Sequence, residues 1–414
     1  MTMRAMFAGV SGLRNHQVRM DVIANNIANV NTVGFKSSRV TFEEAFSQLL
    51  QGASQPRTTG GSFGTNAMSV GLGMNLGSID VNFTQGSLQN TGVNTDLAIQ
   101  GNSFFVVGDS TQQFYTRAGN FQIDGLGRLV SANNGFIVQG RLAQAGVLQQ
   151  SVGDITIPLN QRADANATTN VDIVGNLDAA AATGDVKQTL IVVYDSQGNS
   201  HDLVIDFTKT ANPNEWDFAI TTPNGASVSG DTGTMTFDSL GALVNPPNTS
   251  FVFTPTNFTI NETIDVQFGA VGTTSGLSQF ASPSTAVISQ QDGFPMGELE
   301  RLFIDETGTV TGAFTNGVNL VMGQVALADF SNASGLLSAG DNMFTSSANS
   351  GPAVVGFVGE GSQSAITAGA LEMSNVDLAR EFTDMIVTQR GFQSNARVIT
   401  TADEMLQELV ALRR

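Results

Sequence analysis

The chain has 414 residues, a formal net charge of -18 and no cysteine. Phosphate binding needs a basic face, so this balance argues against nucleic acid as a partner, and the missing cysteines exclude disulfides and thiolate metal sites. The 41% hydrophobic content suffices for two or three globular units, while 13% charged residues and 45 glycines favour strands and turns over solvated helices.

Residues from about Thr2 to Ala28 predict a helix, interrupted only by Gly9 and Gly12. Met3, Met6, Val10, Leu13, Gln17, Met20, Ala24 and Ile27 follow alternating steps of three and four, the seam of a coiled coil. Asn25 to Thr32 is poor helix sequence, and Gly34 can end the element. The first 39 residues carry Arg4, Arg14, Arg19, Lys36 and Arg39 against a single Asp21. Membrane contact is one reading of that basic start, but the strict seam favours helix packing. Segment 35–70 reads as a connector, with a short helix-like apolar stretch from Phe42 to Leu50 and then a loop rich in Gly, Ser and Thr.

From about Val70 the period changes to two. Leu97 to Gln100, Phe104 to Val107, Phe114 to Phe121, Leu129-Val130 and Gly135 to Gln139 predict strands, separated by turns such as Asp124-Gly125. A second β-rich unit starts near residue 145. Its clearest piece is a hairpin, Thr189 to Tyr194 and Leu203 to Phe207 around the turn Asp195 to Asn199, continued by Trp216 to Ile220. Asp178 to Gly184 and Gly272 to Pro283 read as loops. Strands return at Leu302 to Ile304 and Gly323 to Ala328, and Ser346 to Gly369 is rich in Gly and Ser.

The last segment predicts a helix from a Ser374 cap to the C-terminus. Leu371, Leu378, Phe382, Met385, Phe392, Ala396, Ile399, Leu406 and Val410 repeat the heptad of the first helix. Ile386, Val387, Val398, Met405, Leu409 and Leu412 lie off that seam. A second apolar stripe needs a second partner, which points to neighbouring copies. A helical hairpin within one chain fits the first stripe equally well.

No constellation points to catalysis. His16 and His201 are the only histidines and lie in unrelated segments; His201, just after a turn, is expected to be exposed. Asp195 to Asp202 lacks the spaced acidic ligands and closing Glu of a calcium loop, and reads as a turn. Gly71-Leu72-Gly73 has no lysine to hold a phosphate. Asp124 to Gly127 and Asp305 to Gly308 read as turns, and no carboxylate sits with a partner base or nucleophile. The expectation is no enzyme, no cofactor and no metal. The N-terminus lacks the apolar core of a cleavable leader, and no segment is apolar enough to span a bilayer.

Two long runs carry a resemblance. Ser11-Gly12-Leu13, Gln17 and Asp21 to Thr32 with Gly34-Phe35-Lys36 form the first; within it stand Asn25, Asn26, Asn29 and Asn31. Gly369 to Leu378, Glu381-Phe382, Met385-Ile386, Gln389-Arg390, Phe392 to Ala396 and Ala402 to Leu406 form the second. Together they resemble the flagellar rod and hook protein family, most closely its hook subunits. Val193 to His201 and Gln291 to Phe294, with Gly297 and Leu299, are similar to segments of the hook subunits' β domains.

The resemblance implies an α+β fold with the terminal helices paired as a coiled coil and two mainly antiparallel β domains, the outer inserted into the inner. Its expected limits are 1–34 and 371–414 for the helical domain, 35–70 for a connector, 71–145 and 284–370 for the inner β domain, and 146–283 for the outer. The implied function is a structural subunit of a flexible tube that transmits motor torque from rod to filament. The implied partners are many copies of itself, the rod, hook-cap and hook–filament junction proteins, and the flagellar type III export apparatus, with no nucleic acid and no membrane insertion. Export would leave the N-terminus uncleaved. The residues expected to pack helices in the polymer are Met6, Val10, Leu13, Met20, Ala24, Ile27, Leu378, Phe382, Met385, Phe392, Ala396, Ile399, Leu406 and Val410. A distal rod protein, or a secreted β-rich adhesin, is the alternative.

Overall fold

The computed structural model describes residues 2–55, 64–109, 112–144, 146–158, 162–223, 227–254 and 261–411. The chain divides into two compact units. The first takes Met1–Pro158, Leu302–Thr311 and Val321–Arg414; the second takes Leu159–Arg301 and Gly312–Leu320. These limits differ from 146–283 for a local reason. Strands Ile137–Gln144 and Val147–Asp154 form a hairpin that stays in the first unit, while Val287–Gln291 pairs with Asn170–Asp178 in the second.

The first unit contains helices α1 (Thr2–Ala28) and α2 (Leu378–Ala411). No helix among the described residues is long and apolar enough to cross a membrane. Leu412 and the side chain of Leu409 lie outside the described residues. Helix α2 starts at Leu378, not near Ser374. Its cap is Asp377, whose Oδ1 accepts the N–H groups of Ala379 at 3.0 Å and Arg380 at 3.3 Å. Ser374 instead accepts the Val376 N–H in the approach to the helix. Leu371 precedes the helix altogether, on strand Ala370–Glu372, opposite Gln89.

Phe42 to Leu50 is not helical. Strand Ser38–Glu44 pairs antiparallel with Met74–Val81, and Ser47–Gln51 pairs with Met68–Gly71. Alternation of Val40 and Phe42 with Thr41 and Glu43 suits a pleated surface better than a helix face. Beyond them, the mainly antiparallel β part of the unit centres on strand Phe104–Gly108. It pairs with Ile137–Gln144, Leu327–Asp329 and Gln113–Thr116. Phe104, Val106, Tyr115, Leu336 and Phe344 form a core, with Phe83 and Phe330 set edge-on against it.

The second unit has two sheets around one core. One is a five-stranded antiparallel meander: Val186–Tyr194, Ser200–Lys209, Glu215–Thr221, Thr232–Phe237 and Leu243–Asn245. The other includes Asn248–Thr254, Glu262–Gln267 and Asn170–Asp178, which runs parallel to Glu262–Gln267 and Leu277–Phe280. The strand at Leu277–Phe280 lies inside a segment expected to be loop. Trp216, Phe207, Phe218, Phe251, Phe253 and Phe268 fill the core. Alternate burial along Glu215–Thr221 is what a half-buried strand requires.

Among the described residues one turn recurs at Asp124, Asp195, Asp238 and Asp305. In each, the Asp Oδ1 accepts the N–H groups two and four residues on, at 2.8–3.0 Å. In each, the glycine three residues on takes a positive φ, between 74° and 82°. At Asp195 the other carboxylate oxygen also meets His201 Nε2 at 3.1 Å. His201 is therefore mostly buried, edge-on to Phe253, rather than exposed.

Candidate assembly surface

Helices α1 and α2 run antiparallel, and small residues make their contact. A methyl built on Gly9 would lie 3.1 Å from the Ile399 side chain. One on Gly12 would lie 2.6 Å from Asn395, and one on Gly391 would lie 2.8 Å from the His16 ring. Further along, Arg19 meets Asp384 at 3.0 Å and Asn26 donates to Glu381 Oε1 at 3.2 Å. Burial raises the Glu381 pKa, and the Asn26 hydrogen bond opposes that rise. Gly9, Gly12, Ile23 and Asn26 are buried on α1, and Thr388 and Ala402 on α2.

This contact face has the steps of three and four that the sequence shows, but it lies one residue before the apolar seam on α1. Gly9, Gly12, His16, Arg19, Ile23 and Asn26 precede Val10, Leu13, Gln17, Met20, Ala24 and Ile27 in turn. On α2 the buried Thr388 and the contact residues Gly391 and Asn395 likewise stand one place before Gln389, Phe392 and Ala396. One residue is about 100° around a helix, so most of the apolar seam lies beside the contact, and Ile399 on α2 is the seam residue that reaches into it, against Gly9. Met6, Leu13, Met20, Ile27, Met385, Ala396, Ile399 and Leu406 are half-buried. Val10, Ala24, Leu378, Phe382, Phe392 and Val410 are exposed, Phe382 by 51% and Val410 by 72%. Met3, Phe7, Ile386, Val387, Val398 and Met405 are exposed as well.

The polar run at the end of α1 builds a junction with the segment that leads into α2. Asn29 Nδ2 donates to the Asn25 carbonyl at 2.9 Å and to Asn25 Oδ1 at 2.6 Å, closing the helix end. Thr32 donates to Asn29 Oδ1 at 3.1 Å. Gly34 turns the chain with φ 69°, and its N–H bonds the Glu372 carbonyl at 2.8 Å. A side chain at Gly34 would place its first carbon 2.5 Å from the Ala118 nitrogen, so the position accepts only glycine. Phe35 is half-buried, whereas Asn31, Gln389 and Arg390 are exposed.

Glu372 is the centre of this junction. Its side chain and those of Lys36 and Arg117 are fully buried. Glu372 Oε1 accepts from Lys36 Nζ at 2.6 Å and from the Gly86 N–H at 2.8 Å, while Oε2 meets Arg117 Nη1 at 3.3 Å. Lys36 also donates to the Thr84 carbonyl at 2.8 Å, and Arg117 Nη2 to that of Gly101 at 2.7 Å. Burial lowers the Lys36 pKa, and the Glu372 charge opposes the shift. Asn375 adds bonds to Ser37, Asn82 and Thr84. The triad's roles were not legible in the sequence: Lys36 and Glu372 stand in the family-like runs, but nothing in their spacing ties them to Arg117.

Among the described residues no cluster of His, Cys, Asp and Glu could hold a metal ion.

Comparisons with known proteins fit this geometry. Four family models match: "Flagella basal body rod protein" over residues 6–36, "Flagellar hook protein FlgE/F/G D1 domain" over 98–176, "Flagellar basal body protein FlaE D2 domain" over 158–294, and "Flagellar basal body rod FlgEFG protein C-terminal" over 367–412. The chain is 40% identical to flagellar hook protein FlgE of Treponema pallidum, covering 100% of both chains. It is 36% identical to that of Salmonella typhimurium, covering 98% of each. It is 30% identical to the flagellar basal-body rod protein FlgG of Bacillus subtilis, covering 100% of both. A crystal structure of Helicobacter pylori flagellar hook protein FlgE2 superposes with a TM-score of 0.52 at 15% identity, over 69% of this chain and 100% of that one; this likeness is one of fold.

Proposed function

The chain belongs to the flagellar hook protein family, and from that premise we propose that it polymerises through the apolar residues its own helix pair leaves uncovered. It is a structural subunit of the flagellar hook, in a family of structural proteins rather than enzymes. The observation that carries the proposal is the one-residue offset between the α1–α2 contact and the apolar seam. Phe382, Phe392, Val10 and Val410 keep a heptad spacing and stay exposed among the described residues. Apolar stripes of that kind on a water-exposed helix pair call for neighbouring copies.

The finer picture follows the same logic. The first unit's helices would bond subunits along the tube, while the second unit would form the inserted outer domain. Outer surfaces rich in Gly, Ser and Thr would slide during bending, letting the tube transmit torque from rod to filament. The rod, hook-cap and junction proteins would meet the tube's ends. The flagellar type III apparatus would export the chain unfolded and without cleavage, a route that suits a protein with no cysteine.

The test is genetic. Deleting the gene is expected to leave complete rods without hooks in electron micrographs of isolated basal bodies. Wild type should restore hooks, and a Phe382→Ser, Ile386→Ser variant should not. Truncated rods would move the chain into the rod, and intact hooks would reject the reading.

A further inference from the structure

His16 sits in the middle of the α1–α2 contact. Its ring fills the hole left by Gly391, where a methyl would come within 2.8 Å of Cε1 and Nε2. On its other side it stands edge-on to Phe42 of strand Ser38–Glu44, with ring centroids 5.8 Å apart. His16 Nδ1 is buried and has no hydrogen-bond partner among the described residues. A neutral imidazole fits such a slot. An imidazolium there would carry a buried N–H without an acceptor and a charge without a counterion.

The surrounding charges offer no relief. On α1, Arg19 lies one turn away on the same face, and Arg14 is exposed. On α2, Asp384 is already bound to Arg19 and Glu381 to Asn26, while Arg390 beside Gly391 is exposed. On the strand, Glu43 and Glu44 follow Phe42 but are exposed. On the neighbouring strand Met74–Val81, Asp80 pairs with Arg39.

We propose that His16 is a proton-sensitive latch between the terminal helices: with its ring neutral the pair closes, and with its ring protonated the pair opens. The proposal rests on the reading that these helices carry assembly, and it adds a condition under which they part. The physical causes agree with it, since burial first and the Arg19 charge second push the His16 pKa below its ordinary 6.5. A lowered folded-state pKa means full stability above about 6.5 and a loss as pH falls toward the lowered value. Over that window the opening constant of the pair rises by at most about tenfold per pH unit.

The experiment uses the full chain assembled as hooks. Amide hydrogen exchange of α1 and α2 is followed from pH 7.5 to 5.0, corrected for the intrinsic pH dependence of exchange. Opening of both helices is expected to rise in wild type as pH falls below 6.5, by no more than about tenfold per unit, and to stay flat in His16→Gln. His201→Gln, which removes the other histidine, should track wild type. Gly391→Ala should crowd the ring and raise opening at every pH. A flat wild-type profile, or a His16→Gln profile that rises like wild type, overturns the latch. Helices unprotected even at pH 7.5 in assembled hooks would instead overturn the assembly reading, so the two failures are distinct.

Discussion

Asn26 treats Ser38 as one strand treats another. Its Oδ1 accepts the Ser38 N–H at 3.0 Å, and its Nδ2 donates to the Ser38 carbonyl at 2.8 Å. A helix side chain thus supplies both halves of a backbone pairing, and the same Nδ2 reaches Glu381 on α2. One residue ties α1, the first strand and α2. Asn26→Ala leaves the Ser38 groups and Glu381 without that partner. A loss of about 1–3 kcal/mol is expected, read as a lower urea midpoint and faster exchange of the Ser38 amide.

Glu372→Gln should be more severe. It removes the carboxylate that pairs with both Lys36 and Arg117, whose side chains are fully buried. Breaking a buried pair from one side costs roughly 3–5 kcal/mol, because the remaining charge has nothing to balance it. Replacing Lys36 by Met at the same time should recover part of that loss. Denaturation midpoints of the two variants and wild type check the order.

Phe382→Ser should separate folding from assembly. The side chain is half exposed in the single chain, so the chain's own stability should change by less than about 0.5 kcal/mol. Polymer formation, followed by sedimentation, should fall sharply. Gly12→Leu makes the contrasting case. Its side chain would collide with Asn395, so overpacking of about 1–3 kcal/mol should part the helices within the chain before any copy meets another.

The second unit should weaken in acid through Asp292. Partial burial alone would raise its pKa, but hydrogen bonds from the Asn170 and Thr169 backbones and side chains hold it at about 2. A lowered carboxylate stabilises the fold above its ordinary 3.8 and loses that effect as pH falls toward 2. The group is largely exposed, so screening leaves on the order of 1 kcal/mol. Trp216, the single tryptophan, lies in this unit and reports the acid transition by fluorescence. Asp292→Asn should flatten the stability profile between pH 4 and 2.

The extent of α1 and the heptad period were legible in the sequence, because both depend on local spacing. The face that meets α2 was not. Periodicity marks an apolar stripe but cannot say whether that stripe serves the same chain or another, and the contact is lined by Gly391 and by Gly9 and Gly12, the last two of which read as interruptions. Phe42 shows the reverse limit: an apolar run too short to fix its period took its form from pairing with Met74–Val81. The Asp turns lie between these cases. Asp195 and Asp305 announce themselves locally, and Asp238-Ser239-Leu240-Gly241 obeys the same rule although no turn was expected there. The triad at Glu372 joins segments 336 and 255 residues apart in sequence, beyond the reach of any local pattern.

The glycine-lined contact also restricts how the two ends of the gene can change in length. Going along α1 from Gly12 to His16 is matched by going back along α2 from Asn395 to Gly391. One residue inserted in either helix would turn a bulky side chain toward each gap and leave every hole one place out of step. Seven residues added to both helices together would restore the match, since two turns return nearly the same face. Insertions and deletions tolerated in the β regions should therefore be rare in the helices, and should come in compensating pairs at opposite termini.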